Sequence, residues 1–173
     1  MIEYRIKNRY VFAYLAALSF MLYILQSTKG VFPVIYGGRC VVLVPLVIYS
    51  GMLFKNYIGT FLGLFAGMLM DINTNGFICF NAIVLMLIGC ASWLLVNCYL
   101  NKNFLTAVII NLLFTSIYFL IKWALIVVFD YSTGIHGQFI TFYLPSMIYT
   151  SLIGILVYFL LKFILKKMSL TQH

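Results

Sequence analysis

Residues 104–129 read FLTAVIINLLFTSIYFLIKWALIVVF, and the only charge in that length is Lys122. At about 1.5 Å of rise per residue, a helix over this stretch is about 39 Å long, more than the roughly 30 Å of a bilayer's hydrocarbon core. A helix that is apolar on every side belongs inside a protein or inside lipid. Working outward, apolar runs at 77–96 and 139–165 are also long enough to cross a membrane, and shorter ones occupy 10–25, 40–54 and 57–70. The ten-residue alternating segments of a transmembrane barrel do not occur in this sequence, so its backbone polar groups are to be satisfied within helices. We expect an all-α fold, a polytopic membrane helical bundle of about six transmembrane helices, with 1–173 forming a single integral membrane domain.

Composition leads to the same place. The chain of 173 residues is 65% hydrophobic and 8% charged, against an apolar share of about 45–50% in soluble domains, and its mean hydropathy is +1.10. Its acids are Glu3, Asp71 and Asp130. The formal net charge of +8 does not describe a nucleic-acid surface, which needs Lys and Arg clustered on a hydrophilic face. Here the cations lie at the chain ends and in the breaks between apolar runs. With six spans and a cytoplasmic N-terminus, the inner side receives Arg5, Lys7, Arg9, Lys55, Lys102, Lys162, Lys166 and Lys167, and the outer side only Lys29 and Arg39. This asymmetry obeys the positive-inside rule, so both termini are expected in the cytoplasm. Tyr57, Tyr99, Trp123 and Tyr131 suit interfacial belts.

Two stretches need separate comment. The basic start and the run 10–25 resemble a signal peptide, but the following QSTKG lacks a small-x-small cleavage site, so the segment is expected to stay as the first span. The runs 40–54 and 57–70 flank Lys55-Asn56, and each covers only about 22 Å. Two short spans in a thinned bilayer and one re-entrant hairpin both satisfy them, with the same parity. The outer loop around Gly30, Pro33, Gly37 and Gly38 and the turn DINTNG at 71–76, strongest at Asn75-Gly76, punctuate the runs.

Chemistry-bearing residues are sparse. Cys40, Cys79, Cys90 and Cys98 form no CxxC pair and have no histidine to complete a metal set, and His136 and His173 are far apart. They suggest neither a metal site nor a cofactor. No Walker-type glycine loop, HExxH motif or carboxylate–histidine pairing occurs, so an enzyme is not expected.

Three features invite contact roles instead. Gly59, Gly63, Gly67 and Asp71 recur every four residues on one helix face, a groove where another backbone approaches closely, either within the bundle or from a partner. Leu62 is expected on the opposite face. Asp71 stands at the C-terminal end of that helix, where the macrodipole disfavours an anion; it is either a solvated loop acid or the partner of a cation. Lys122 shares a face with Asn111, Thr115 and Tyr118, and either snorkels toward the outer interface or pairs with Asp71. Pro145 is expected to bend or open the last helix.

The stretch 39–96 resembles the rod shape-determining protein MreD of bacteria. It has an Arg, Arg39, before an apolar helix containing Pro45, then the Gly59, Gly63, Gly67, Asp71 face, then a Gly76 turn into another apolar helix. A weaker echo is FYLPSMIYTSLIGILVYFLLKFILKK near the C-terminus, with its proline, Tyr149-Thr150 and basic tail. The resemblance implies a non-enzymatic subunit of the cell-elongation machinery in the bacterial plasma membrane. Such a subunit associates with an MreC-like protein and other cell-elongation membrane proteins, and is linked to the MreB cytoskeleton. No cofactor or nucleic acid is implied, and self-association stays open. The glycine face and Asp71, with Arg39, Pro45 and Lys122, are the expected helix-packing or partner-contact residues. The alternative is the substrate-binding subunit of an energy-coupling-factor vitamin transporter, a small six-helix protein whose overall fold MreD-like proteins are similar to. Ala13-x-x-x-Ala17 fits that family's coupling motif. A vitamin site also needs a pocket with converging polar groups, and this sequence offers chiefly Asn81, Asn111 and Lys122.

Overall fold

The structure, a computed structural model, describes residues 8–28, 38–54, 57–72, 79–98, 103–129 and 139–170. Among these are six α-helices and no β-strand: α1 (Asn8–Ser27), α2 (Leu43–Leu53), α3 (Ile58–Ile72), α4 (Phe80–Cys98), α5 (Phe104–Phe129) and α6 (Leu144–Leu170). A π-helical turn, Phe139–Tyr143, leads into α6. Phe80–Cys98, Phe104–Leu125 and Thr141–Lys166 are each long and apolar enough to cross a membrane, whereas Val11–Ser27, Leu43–Leu53 and Ile58–Ile72 are apolar but shorter. Glu3, Arg5, Lys7, Lys29, Lys55, Asn73, Asn75, Gly76, Tyr99, Lys102, Asp130, Tyr131, His136 and His173, several of which served the topology argument, lie outside the described residues.

Helix α2 is the axis of the bundle. Every residue from Leu43 to Met52 is buried, and the helix touches α1, α3, α4, α5 and α6. Protein on all sides leaves no reason for a polar face, and LVPLVIYSGML has none. At 11 residues it covers about 16 Å, near half of a hydrocarbon core. The run 40–54 is therefore not helical throughout: residues 39–41 precede the helix without regular structure, yet Cys40, Val41 and Val42 are buried. Pro45 is the third residue of α2, among the first N–H groups that have no partner inside a helix, so its missing donor costs nothing there.

Around this axis the outer helices turn large apolar side chains away from the protein, among them Phe20 and Ile24 on α1, Leu87 on α4, Leu105 and Ile109 on α5, and Leu156 and Phe163 on α6. Buried serines close on their own helices: Ser19 donates to Ala16 O, Ser50 to Val47 O and Ser92 to Ile88 O, which removes the cost of an unpaired hydroxyl in an apolar interior. Leu62 departs from the expectation of an outward face. It is fully buried, because α3 packs on α1 and α2 as well as α4; the outward ridge of α3 is Phe61, Met68 and Ile72. At Pro145 the helix neither stops nor kinks into a loop. Proline has no N–H for Thr141 O, and the backbone widens into the π-helical turn just before it, a known way to absorb a missing donor.

Tyr49 is left with an unused polar atom in the core. The Tyr49 ring is fully buried and meets Tyr158 edge-on, with centroids 5.3 Å apart, but its hydroxyl has no hydrogen-bond partner. An unsatisfied buried hydroxyl costs about 1–3 kcal/mol. Tyr49→Phe keeps the packing and removes that cost, so the variant is expected to unfold at a higher temperature in detergent; a lower melting temperature would show that the hydroxyl is used.

Candidate functional site

The glycines of α3 lie in a seam among three helices. A Cβ on Gly59 would strike Gly51 Cα of α2, one on Gly63 would strike the Leu85 carbonyl of α4, and one on Gly67 would strike Ala82 Cα. From the other side, a Cβ on Gly51 would come within 2.7 Å of Gly89 O, and one on Gly89 would meet the Gly59 carbonyl. The obstacles are backbone atoms, which cannot swing aside. Small residues here let the backbones of α2, α3 and α4 approach closely and gain dispersion contacts. This face is occupied from within the chain, so it is not available to a partner.

Asp71 closes the same unit at its far end. Its Oδ1 accepts from Asn81 N at 3.1 Å and Asn81 Nδ2 at 2.8 Å, and its Oδ2 accepts from Ala82 N at 3.0 Å. These N–H groups belong to the first turn of α4, where a helix has unpaired donors and partial positive charge. The acid that is misplaced for α3 is well placed for α4. Asn81, 3% exposed, passes the connection on, its Oδ1 accepting from Tyr118 OH on α5 at 2.8 Å. Lys122, one turn further along α5, holds its ammonium 5.9 Å from the centre of the Tyr118 ring, within cation–π range. Asp71, Asn81, Tyr118 and Lys122 thus form one polar chain across α3, α4 and α5.

Arg39 and Pro45 belong to a second polar group, where α1, α2 and α6 meet. The N–H groups leading into α2 would be orphaned in an apolar bundle, and side chains from other helices accept from them. Arg39 N donates to Ser146 Oγ at 3.1 Å, Val41 N to Thr150 Oγ1 at 3.2 Å, and Val42 N to Gln26 Oε1 at 3.0 Å. Non-helical backbone is tolerated in an apolar interior when it is buried in protein and paired in this way. Arg39 itself is exposed. Pro45 packs against Gly154 of α6, where the absent Cβ also leaves room for Asn111; Asn111, 1% exposed, donates from Nδ2 to Ser151 O at 3.3 Å.

Sequence reasoning missed Gly51 and Gly89, which stand singly in apolar runs, and Gln26 and Ser146, which read as ordinary polar residues of a membrane helix; Thr150 entered only through the C-terminal resemblance. Ala82 and Gly89, seven apart on α4, were the available trace of the seam. Chemically the two polar groups tie helices together: the Asp71 oxygens are engaged by donors of α4, and among the described residues no three His, Cys, Asp or Glu side chains come together as a metal site would require. Comparison with protein-family models, with curated proteins and with solved structures finds no match to this chain.

Proposed function

We propose that the chain is a polytopic membrane subunit with six spans and cytoplasmic termini, acting as a non-enzymatic scaffold in the bacterial cell-elongation machinery as MreD-like proteins do. In this reading it associates with an MreC-like protein in the plasma membrane and takes part in linking wall synthesis to the MreB cytoskeleton. The observation that carries the reading is where the buried polar groups point. Asn81 is held between Asp71 and Tyr118 and Asn111 is turned onto Ser151, so two of the three groups a vitamin pocket would draw on are used for joining helices. A bundle whose polar side chains tie it together, and whose outside is apolar, is suited to presenting a fixed helical surface to neighbours in the bilayer.

One observation favours the transporter reading: Ala13 and Ala17 both lie exposed on α1, as a coupling face would. Purification of the tagged full chain from its native membrane separates the two. Cell-wall synthesis proteins and an MreC-like protein are expected to accompany it; recovery with paired ATPases and a transmembrane scaffold would overturn the proposal in favour of the transporter subunit.

A further inference from the structure

Lys122 is the only charge of α5, and its neighbours fix its depth. Tyr118, one turn before it, reaches Asn81 with its hydroxyl, and Asn81 is the second residue of α4. Asp71, in the last turn of α3, bonds to the same turn of α4. At this end, then, α3 finishes and α4 begins level with Tyr118, while α5 runs on for about 16 Å. Helix α4, with 19 residues, is about 28 Å long, close to the roughly 30 Å of a hydrocarbon core. A membrane crossed by α4 therefore has one hydrocarbon boundary at its first turn. Distance along α5 agrees: Lys122 lies about 27 Å from Phe104, which at the opposite end meets Tyr158, where Lys162 stands over the ring.

The Lys122 side chain is half-buried and lies back along α5 toward the Tyr118 ring. That ring is fully buried and tethered through its hydroxyl, so the ammonium rests on a fixed platform. A ring face attracts a cation but accepts none of its three N–H donors in an ordinary hydrogen bond. Lys122 makes no hydrogen bond or ion pair with any described residue. Asp71 is not the acceptor, because both of its oxygens are turned onto N–H groups of α4. Unused donors on a cation at a hydrocarbon boundary call for an anionic oxygen. The phospholipid headgroup layer supplies one at that depth, the phosphodiester, which takes an ammonium in charge-assisted hydrogen bonds. We propose that Lys122 holds the phosphate of a phospholipid headgroup, with Tyr118 as the platform beneath the ammonium and Asn81 as the tether of that platform. The proposal needs only the membrane setting of α4 and α5 and is independent of any protein partner.

The test is lysine acylation of the full chain in detergent by an N-hydroxysuccinimide ester, with modification of each lysine read by mass spectrometry, so no variant has to fold. Dioleoyl phosphatidylglycerol is expected to slow acylation of Lys122 about tenfold, the ratio that about 1.4 kcal/mol produces, near the lower end for a hydrogen bond to a charged group. Dioleoylglycerol, with the same chains and no phosphate, is expected to leave the rate unchanged, and Lys166, exposed near the end of α6, is expected to be slowed far less than Lys122. Equal slowing by the two lipids would overturn the proposal by showing coverage by acyl chains alone. Equal slowing of Lys122 and Lys166 would also overturn it, since general screening by an anionic micelle would then suffice. Protection by inorganic phosphate without lipid would make a free anion the ligand in place of a headgroup. If phosphatidylglycerol gave no protection, and Lys122 were shielded only in the chain purified with its membrane partners, an acidic group of a partner would be the acceptor and the proposal would fail.

Discussion

Gly63→Leu is expected to prevent assembly of the bundle, the largest effect of any single substitution in the chain. A Cβ at that position already meets the Leu85 carbonyl group, and Met86 Cα lies 3.1 Å away, all of it helical backbone. Even alanine must push α3 from α4, at a cost of about 1–3 kcal/mol by the measure of overpacked cores. Leucine adds three more carbons to the same collision, and the displacement spreads to the Gly59–Gly51 and Gly67–Ala82 contacts along the seam. The expected loss exceeds about 4 kcal/mol, the range reserved for named structural failures. Thermal unfolding followed by fluorescence size-exclusion chromatography in detergent reads it directly: the variant is expected to aggregate, and Gly63→Ala to melt at a clearly lower temperature. Phe61→Leu is the proper comparison, since Phe61 is 63% exposed on the outward ridge of α3, and it is expected to stay within about 0.5 kcal/mol of the parent. If Gly63→Leu and Phe61→Leu were equally tolerated, the seam would not hold the bundle.

Asp71→Asn is expected to cost about 1.5–3 kcal/mol, the value of hydrogen bonds to a charged group. The amide keeps one acceptor oxygen, but its new donors face the N–H groups of α4, and the negative charge at that helix start is lost. Lys122→Met removes the ammonium from the Tyr118 ring. The two residues stand at the two ends of the contacts through Asn81 and Tyr118, so their effects are expected to be coupled: each single change leaves a poorly solvated group behind, and the double variant is expected to recover part of the loss. A double-mutant cycle on unfolding in detergent should give an interaction of at least about 0.5 kcal/mol. Additivity would separate them, leaving Asp71 as the cap of α4 alone and Lys122 as a side chain extended toward the interface.

The chain by itself determined the helical class, the three runs long and apolar enough to cross a membrane, and the order of the elements. Runs such as 104–129 admit one solution in lipid, because a backbone without water must pair internally. The four-residue spacing from Gly59 to Asp71 likewise announced a close helix contact, since periodicity along one helix is a local property. What covers that face is not local. Gly51, Ala82, Leu85 and Gly89 come from two other helices, and only the packed bundle selects them. The same holds for Asp71, whose position at the end of α3 is unfavourable until α4 begins beside it, and for Leu62, buried by α1 and α2, which a single-helix reading turned outward. The half-length of α2 was hidden for a related reason: residues 40–42 are as apolar as those that follow. Whether they coil was decided by Gln26, Ser146 and Thr150, whose oxygens replace the hydrogen bonds that another turn of helix would have supplied.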